Sequence, residues 1–205
     1  MISASEAIER LREGNSRFAA GRSDQPSLSP NRRRELLAGQ KPFAIVLGCS
    51  DSRVPAEIVF DQGLGDLFVI RVAGNVVAPS LVGSVEFAAE KFGTPLVVVL
   101  GHSYCGAVQA TLKELALGPE ERSPNLASIV DRIRPSVETL FETDLRHDPQ
   151  ALLYYAIRAN VRASASQLRH ASPILEALVQ EDRLRIVGAE YDLESGLIDF
   201  FEKGS

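Results

Sequence analysis

The chain has 205 residues, 45% of them hydrophobic and 24% charged, which is the balance of an ordinary globular protein and excludes a disordered or fibrous one. Its 27 acidic against 22 basic side chains leave a formal charge of -5, so electrostatics gives no reason to expect a nucleic-acid partner. The longest apolar runs, FAIVL (43–47) and PLVVVL (95–100), fall far short of the roughly 20 residues of a membrane-crossing helix, so no membrane partner is expected.

The opening MISASEAIERLREGN mixes acids with bases and lacks the apolar stretch of a secretory signal, so a cytoplasmic location is expected. Ser3 followed by Glu6 reads as a capping box, and Ile8, Leu11 and Phe18 then recur at helical spacing. Residues 21–30 are rich in turn formers and end on Ser29 and Pro30, a cap and first position for a second helix through Leu37. This leading arm either folds back on its own core or embraces a neighbouring subunit.

From Phe43 onward, FAIVLG, LFVIRVAG and LVVVLG are continuous apolar runs of the kind that form parallel strands covered on both faces. Between the last two, Leu81, Val85, Ala88, Ala89 and Phe92 form one helical stripe stopped by Gly93, which makes a β-α-β unit. Helices are expected around 108–117, 126–145 and 151–168, the second interrupted or kinked at Pro135, and another opens at Ser172 and Pro173. RLRIVGAEYD (183–192) supplies a late strand, and LIDF (197–200) a hairpin partner or edge strand.

FAIVLGCS (43–50) and LVVVLGHS (96–103) share an ending that delivers a polar residue just past a buried strand. Functional groups collect at the carboxyl ends of such strands, so Cys49 and His102 should meet in one crevice, with Cys105 close behind. Alone, either cysteine would most simply be a small buried hydrophobe. Two thiolates and a neutral imidazole together make a ligand set for Zn2+, with one tetrahedral place left for water, and the sequence holds no third cysteine to close it. Asp51 and Arg53, two apart in the following turn, can pair, and the guanidinium then keeps the carboxylate ionised to orient a hydroxide on the metal. The same carboxylate is equally able to take the fourth place, so Asp51 reads as either orienter or ligand. His147 and His170 read as surface residues. DQGLGDLF (61–68) lacks both the G-x-G-x-x-G spacing and a Walker lysine, and reads as a turn.

CSDSR (49–53) followed by GHSYCGAV (101–108) resembles the pattern of the β-class carbonic anhydrases, most specifically over 40–108 and more weakly in the leading helices and in GAEYDLESG (188–196). The resemblance implies an α/β fold: a mainly parallel central sheet flanked by helices, in one domain over 1–205, with an N-terminal helical arm (1–40) and a zinc-binding core (41–205). It implies Cys49, His102 and Cys105 as ligands of Zn2+ and Asp51 and Arg53 as a catalytic dyad, with Asp51 a further ligand in a closed resting form. Gln40 and Phe68 stand where plant-type members have a substrate-facing Gln and an aromatic pocket wall contributed across the dimer. The implied reaction is reversible hydration of CO2 to bicarbonate and a proton through zinc-bound hydroxide. The implied assembly is a homodimer, or a tetramer or octamer built from dimers.

Two departures from the family pattern stand out. Val46 lies where bicarbonate-regulated members carry Trp, although Arg71 and Tyr191 match that site's Arg and Tyr, and 78–81 holds no counterpart of the plant-type pocket Tyr. Arg71, inside an apolar run, is expected to be buried with partners in a network or interface. The competing readings are a zinc hydrolase acting on CS2 or carbonyl sulfide, a zinc-stabilised scaffold without activity, and, least favoured, a cysteine phosphatase.

Overall fold

The computed structural model describes residues 2–23, 29–117 and 123–201, so the middle of the turn-rich 21–30 segment lies outside the described residues. Helix α1 (Ala4–Ala19) begins at the expected capping box, with Ser3 and Glu6 each accepting from the other's backbone N–H. Of the two possibilities for the arm, α1 folds back on its own chain: Ala7 and Leu11 are buried against strand residues Val46, Val98 and Leu100. Asn15, also buried, donates to the carbonyls of Val59 and Gly196 and accepts from Ile198 N–H, which fastens α1 to two distant segments. Helix α2 (Pro30–Glu35), capped by Ser29, buries none of its residues and runs into a 3-10 turn at Leu36–Ala38.

Gly14 allows this seating, since a Cβ built there would lie 1.9 Å from the Phe60 carbonyl oxygen. Helix propensity favours alanine over glycine by about 1 kcal/mol. The clash should outweigh that, so Gly14→Ala is expected to lower stability by about 2 kcal/mol in urea unfolding. An unchanged midpoint would show that the helix does not approach so closely.

The sheet has the order β2-β1-β3-β4-β5. Its strands are β1 (Ala44–Gly48), β2 (Leu67–Arg71), β3 (Leu96–His102), β4 (Arg185–Tyr191) and β5 (Ile198–Phe201). The first four are parallel, and β5 closes an antiparallel hairpin with β4. The apolar runs are continuous because both faces are covered. Ala44 and Val46 face the α1 side, while Ile45 and Leu47 face α4 (Pro79–Phe92), α7 (Pro149–Arg169) and α8 (Pro173–Gln180). Helix α4 carries the crossover from β2 past β1 to β3 and buries Val85, Ala88 and Ala89 of the expected stripe.

Helices α5 (Gly106–Leu117) and α6 (Pro124–Phe141) pack with α7 beyond the carboxyl ends of the strands, and a short α3 (Ala56–Val59) lies between β1 and β2. Of the two expected effects of Pro135, interruption does not occur: α6 is continuous through it. Pro135 sits on the exposed face of α6, where the carbonyl freed four residues earlier is open to water, while Ile133 and Val137 anchor the buried face.

Candidate metal centre

Strands β1 and β3 are neighbours with Gly48 opposite Leu100, so the residues that follow each strand emerge at the same edge of the sheet. Cys49 directly follows β1, His102 ends β3, and Cys105 opens α5 after a turn in which Tyr104 adopts a left-handed backbone (φ 57°). All three side chains are buried, and one ligand atom from each lies within 4.8 Å of the others.

The imidazole is already oriented as a ligand. Nδ1 lies 2.9 Å from the Ser103 carbonyl oxygen, which can only accept, so Nδ1 carries the ring proton and Nε2 offers its lone pair. Nε2 is fully buried with no hydrogen-bond partner among the described residues, which is costly unless something binds there. The thiols point the same way. A hydrogen bond from Cys105 pushes the Cys49 thiol well below its ordinary range, while the bond and negative charge of Cys49 push Cys105 up. Two thiolates this close repel one another, and a divalent cation between them removes the conflict. An orphaned imidazole nitrogen and two facing sulfurs therefore fit Zn2+.

Gly74 supports Cys49, donating its N–H to the sulfur at 3.4 Å. Its backbone is left-handed (φ 68°), and a Cβ there would lie 2.8 Å from Ile133 Cδ1, so both shape and conformation demand glycine. Asn160 holds the same residue from its other side by donating to the Gly74 carbonyl at 2.9 Å. Sequence reasoning missed both residues, which carry no signal tying them to a cysteine far away in the chain.

Asp51 and Arg53 form a two-pronged pair: Arg53 Nε donates to Oδ1 at 2.9 Å and Nη2 to Oδ2 at 2.7 Å, and the Arg53 backbone N–H adds a third bond at 3.0 Å. Asp51 Oδ2 stands 3.9 Å from His102 Nε2, beside the cluster of Cys49, His102 and Cys105. The Arg53 side chain is the main cause holding the Asp51 carboxyl well below the usual carboxylate range. A depressed folded-state value means that the resulting stability is complete above the unfolded value and is lost only as pH falls through the folded one. The gap in thermal midpoint between parent and Asp51→Asn should therefore be flat from about pH 5 to 8 and shrink only below about pH 4.

Arg71 differs from expectation. It is exposed at the end of edge strand β2, and its guanidinium reaches over the cysteine loop to the carbonyls of Cys49 (3.0 Å) and Asp51 (2.6 Å). Gln40 is exposed ahead of β1, at the opposite end of that strand from Cys49. Phe68 is half-buried against the rings of Phe87 and Phe92, on the α4 side of the sheet. One chain thus brings Cys49, His102, Cys105, Asp51 and Arg53 together and leaves Gln40 and Phe68 apart from them. His147 and His170 are exposed.

A parallel α/β sheet that presents two thiols and an imidazole at its carboxyl edge defines a metal-dependent enzyme class, and comparison with known proteins narrows it. The family model described as carbonic anhydrase matches residues 44–198. Carbonic anhydrase 2 of Mycobacterium tuberculosis is 41% identical over 190 residues, covering 93% of this chain and 89% of that protein. The carbonic anhydrase of Mycolicibacterium smegmatis is 41% identical over 193 residues, covering 94% and 91%. The solved structure of the β-carbonic anhydrase CcaA is 25% identical and superposes with a TM-score of 0.78 over 96% of this chain and 95% of that one. The tetrameric β-carbonic anhydrases of Sordaria macrospora share the fold, with a TM-score of 0.74 over 96% and 97% at 23% identity. The chain belongs to the β-carbonic anhydrase family, whose members are zinc enzymes.

Proposed function

We propose that this chain interconverts CO2 and bicarbonate, with Cys49, His102 and Cys105 holding Zn2+ and the Asp51–Arg53 pair as its catalytic dyad. The observation that carries this reading is the buried, unpartnered Nε2 of His102 facing two thiols, with an ionised carboxylate 3.9 Å away. Bound zinc lowers the pKa of a water ligand to about 7, a value for which carbonic anhydrases are themselves the standard example.

The chain's own residues supply the remaining requirements. Asp51, ionised throughout the neutral range, accepts a hydrogen bond from the attacking water and directs its lone pair, and Arg53 fixes the plane of the carboxylate. Arg71 holds the loop that carries Cys49 and Asp51. Val76, Val108 and Leu112, packed with the two cysteines, exclude water from the protein side of the centre. With Arg53 holding the plane of its carboxylate and Oδ2 lying 3.9 Å from His102 Nε2, Asp51 acts in this reading as orienter and not as fourth ligand.

The assembly in this reading is a dimer or a multiple of dimers in the cytoplasm. Gln40 and Phe68 then serve the centre of a second copy, where Gln40 donates to a substrate oxygen and Phe68 walls the pocket. No helix among the described residues is long and apolar enough to cross a membrane.

Stopped-flow CO2 hydration from pH 6.5 to 9, with zinc analysis of the same preparation, tests the reading. Zinc near one equivalent per chain with zinc-dependent hydration supports it. Zinc without hydration, or faster turnover of CS2 or carbonyl sulfide than of CO2, overturns it. Sedimentation velocity tests the assembly.

A further inference from the structure

The loop 102–105 is tied on its outer side to the turn of the β4–β5 hairpin. The Ser103 backbone N–H donates to the Tyr191 carbonyl at 2.9 Å. The Ser103 hydroxyl donates to Asp192 Oδ1 at 3.2 Å and accepts from Leu193 N–H at 2.9 Å. Asp192 itself is held firmly, accepting from the Ser195 hydroxyl (2.6 Å) and from the backbone N–H groups of Glu194 and Ser195 (both 3.2 Å). These bonds, the Ser195 hydroxyl foremost, keep its carboxyl below the usual range. Ser103 is thus fixed through its N–H and its hydroxyl, and its carbonyl accepts the hydrogen bond from His102 Nδ1–H.

We propose that Asp192 is a positioning residue for the metal: by fixing Ser103 it aims the Ser103 carbonyl, which sets the tautomer and ring direction of His102 and so presents Nε2 to the two sulfurs. The inference rests on the reading of Cys49, His102 and Cys105 as zinc ligands. A ligand imidazole needs its far nitrogen anchored, and the usual anchor is a carboxylate or carbonyl in direct contact. Here the carbonyl is in direct contact and the carboxylate acts one residue further out. The hairpin contributes no ligand, but it fixes the direction of one.

The test uses full-length, zinc-loaded protein and an excess of a chromogenic chelator. Asp192→Ala and Ser103→Ala are each expected to release zinc about tenfold faster than the parent, the lower end of what losing such partners costs. The double variant should be no faster than either single one, because both act on one link. Glu194→Ala serves as a control in the same turn: its side chain bonds the exposed Tyr104 hydroxyl at 2.5 Å, and the variant should keep the parent's release rate.

Cobalt-loaded protein adds a readout that loss of stability alone would not move. The thiolate-to-cobalt and ligand-field bands should shift or broaden in Asp192→Ala and remain unchanged in Glu194→Ala. If Asp192→Ala does not fold, Ser103→Ala decides, since it leaves the Asp192 bonds to Glu194 and Ser195 in place. Release at the parent's rate in either folded variant, or equal acceleration in Glu194→Ala, overturns the proposal. A parent protein that binds no zinc overturns the ligand reading instead.

Discussion

Purified His102→Ala is expected to carry less than about a tenth of an equivalent of zinc and to hydrate CO2 at least about a thousandfold more slowly than the parent. The ring fills a fully buried position, and its Nε2 is the one neutral donor among three. Its removal leaves two facing sulfurs that share a proton without a cation. It also leaves the Ser103 carbonyl without the N–H it accepts.

Because binding to the folded state alone raises stability by mass action, added zinc should raise the parent's thermal midpoint and leave that of the variant unmoved. Metal analysis after gel filtration, together with melts at several zinc concentrations, checks both statements. A variant with a full equivalent of zinc would show that the metal sits elsewhere.

Asp51→Asn should separate chemistry from metal binding. It is expected to keep the parent's zinc content and to lose about a hundredfold or more in kcat, the usual scale for a group that positions a proton in the transition state. The carboxylate takes three hydrogen bonds from Arg53, two from the guanidinium and one from the backbone. An amide offers only one acceptor oxygen, so the substituted side chain either turns its NH2 toward the attacking water and cannot accept from it, or turns it toward the guanidinium and loses the paired bonds that hold the group in place. Steady-state hydration at saturating CO2, on material with verified zinc content, distinguishes this from metal loss. Parent-level kcat with full zinc would remove Asp51 from the mechanism.

The strands and the meeting of Cys49 with His102 were legible in the sequence because each rests on a local pattern, an apolar run with a polar residue at its end, which occurs twice, and Cys105 follows three residues after the second. The capping box at Ser3 and the stop at Gly93 were equally local. What was not legible depends on the direction a side chain takes in three dimensions. Arg71 reads as a buried charge in an apolar run, yet it lies at the end of an edge strand, where a long side chain reaches solvent and still spans to the Cys49 loop. Pro135 reads as a break, but its cost depends on which face of α6 it occupies. Gly74 and Asn160 acquire their roles only when α7 packs over the strand ends, a contact between residues 86 positions apart.

The three hydrogen bonds of Asn15 carry a consequence for biogenesis. Two of them join the first helix to Gly196 and Ile198, 181 and 183 residues later, so the order in which the ribosome delivers the chain is not the order in which it can assemble. At about 5–20 residues per second, α1 emerges some ten seconds or more before the turn that completes its seat. Strands β1 and β3 can cover Ala7 and Leu11 in that interval, but the Asn15 side chain gains its bonds to Gly196 and Ile198 only when the last strand arrives.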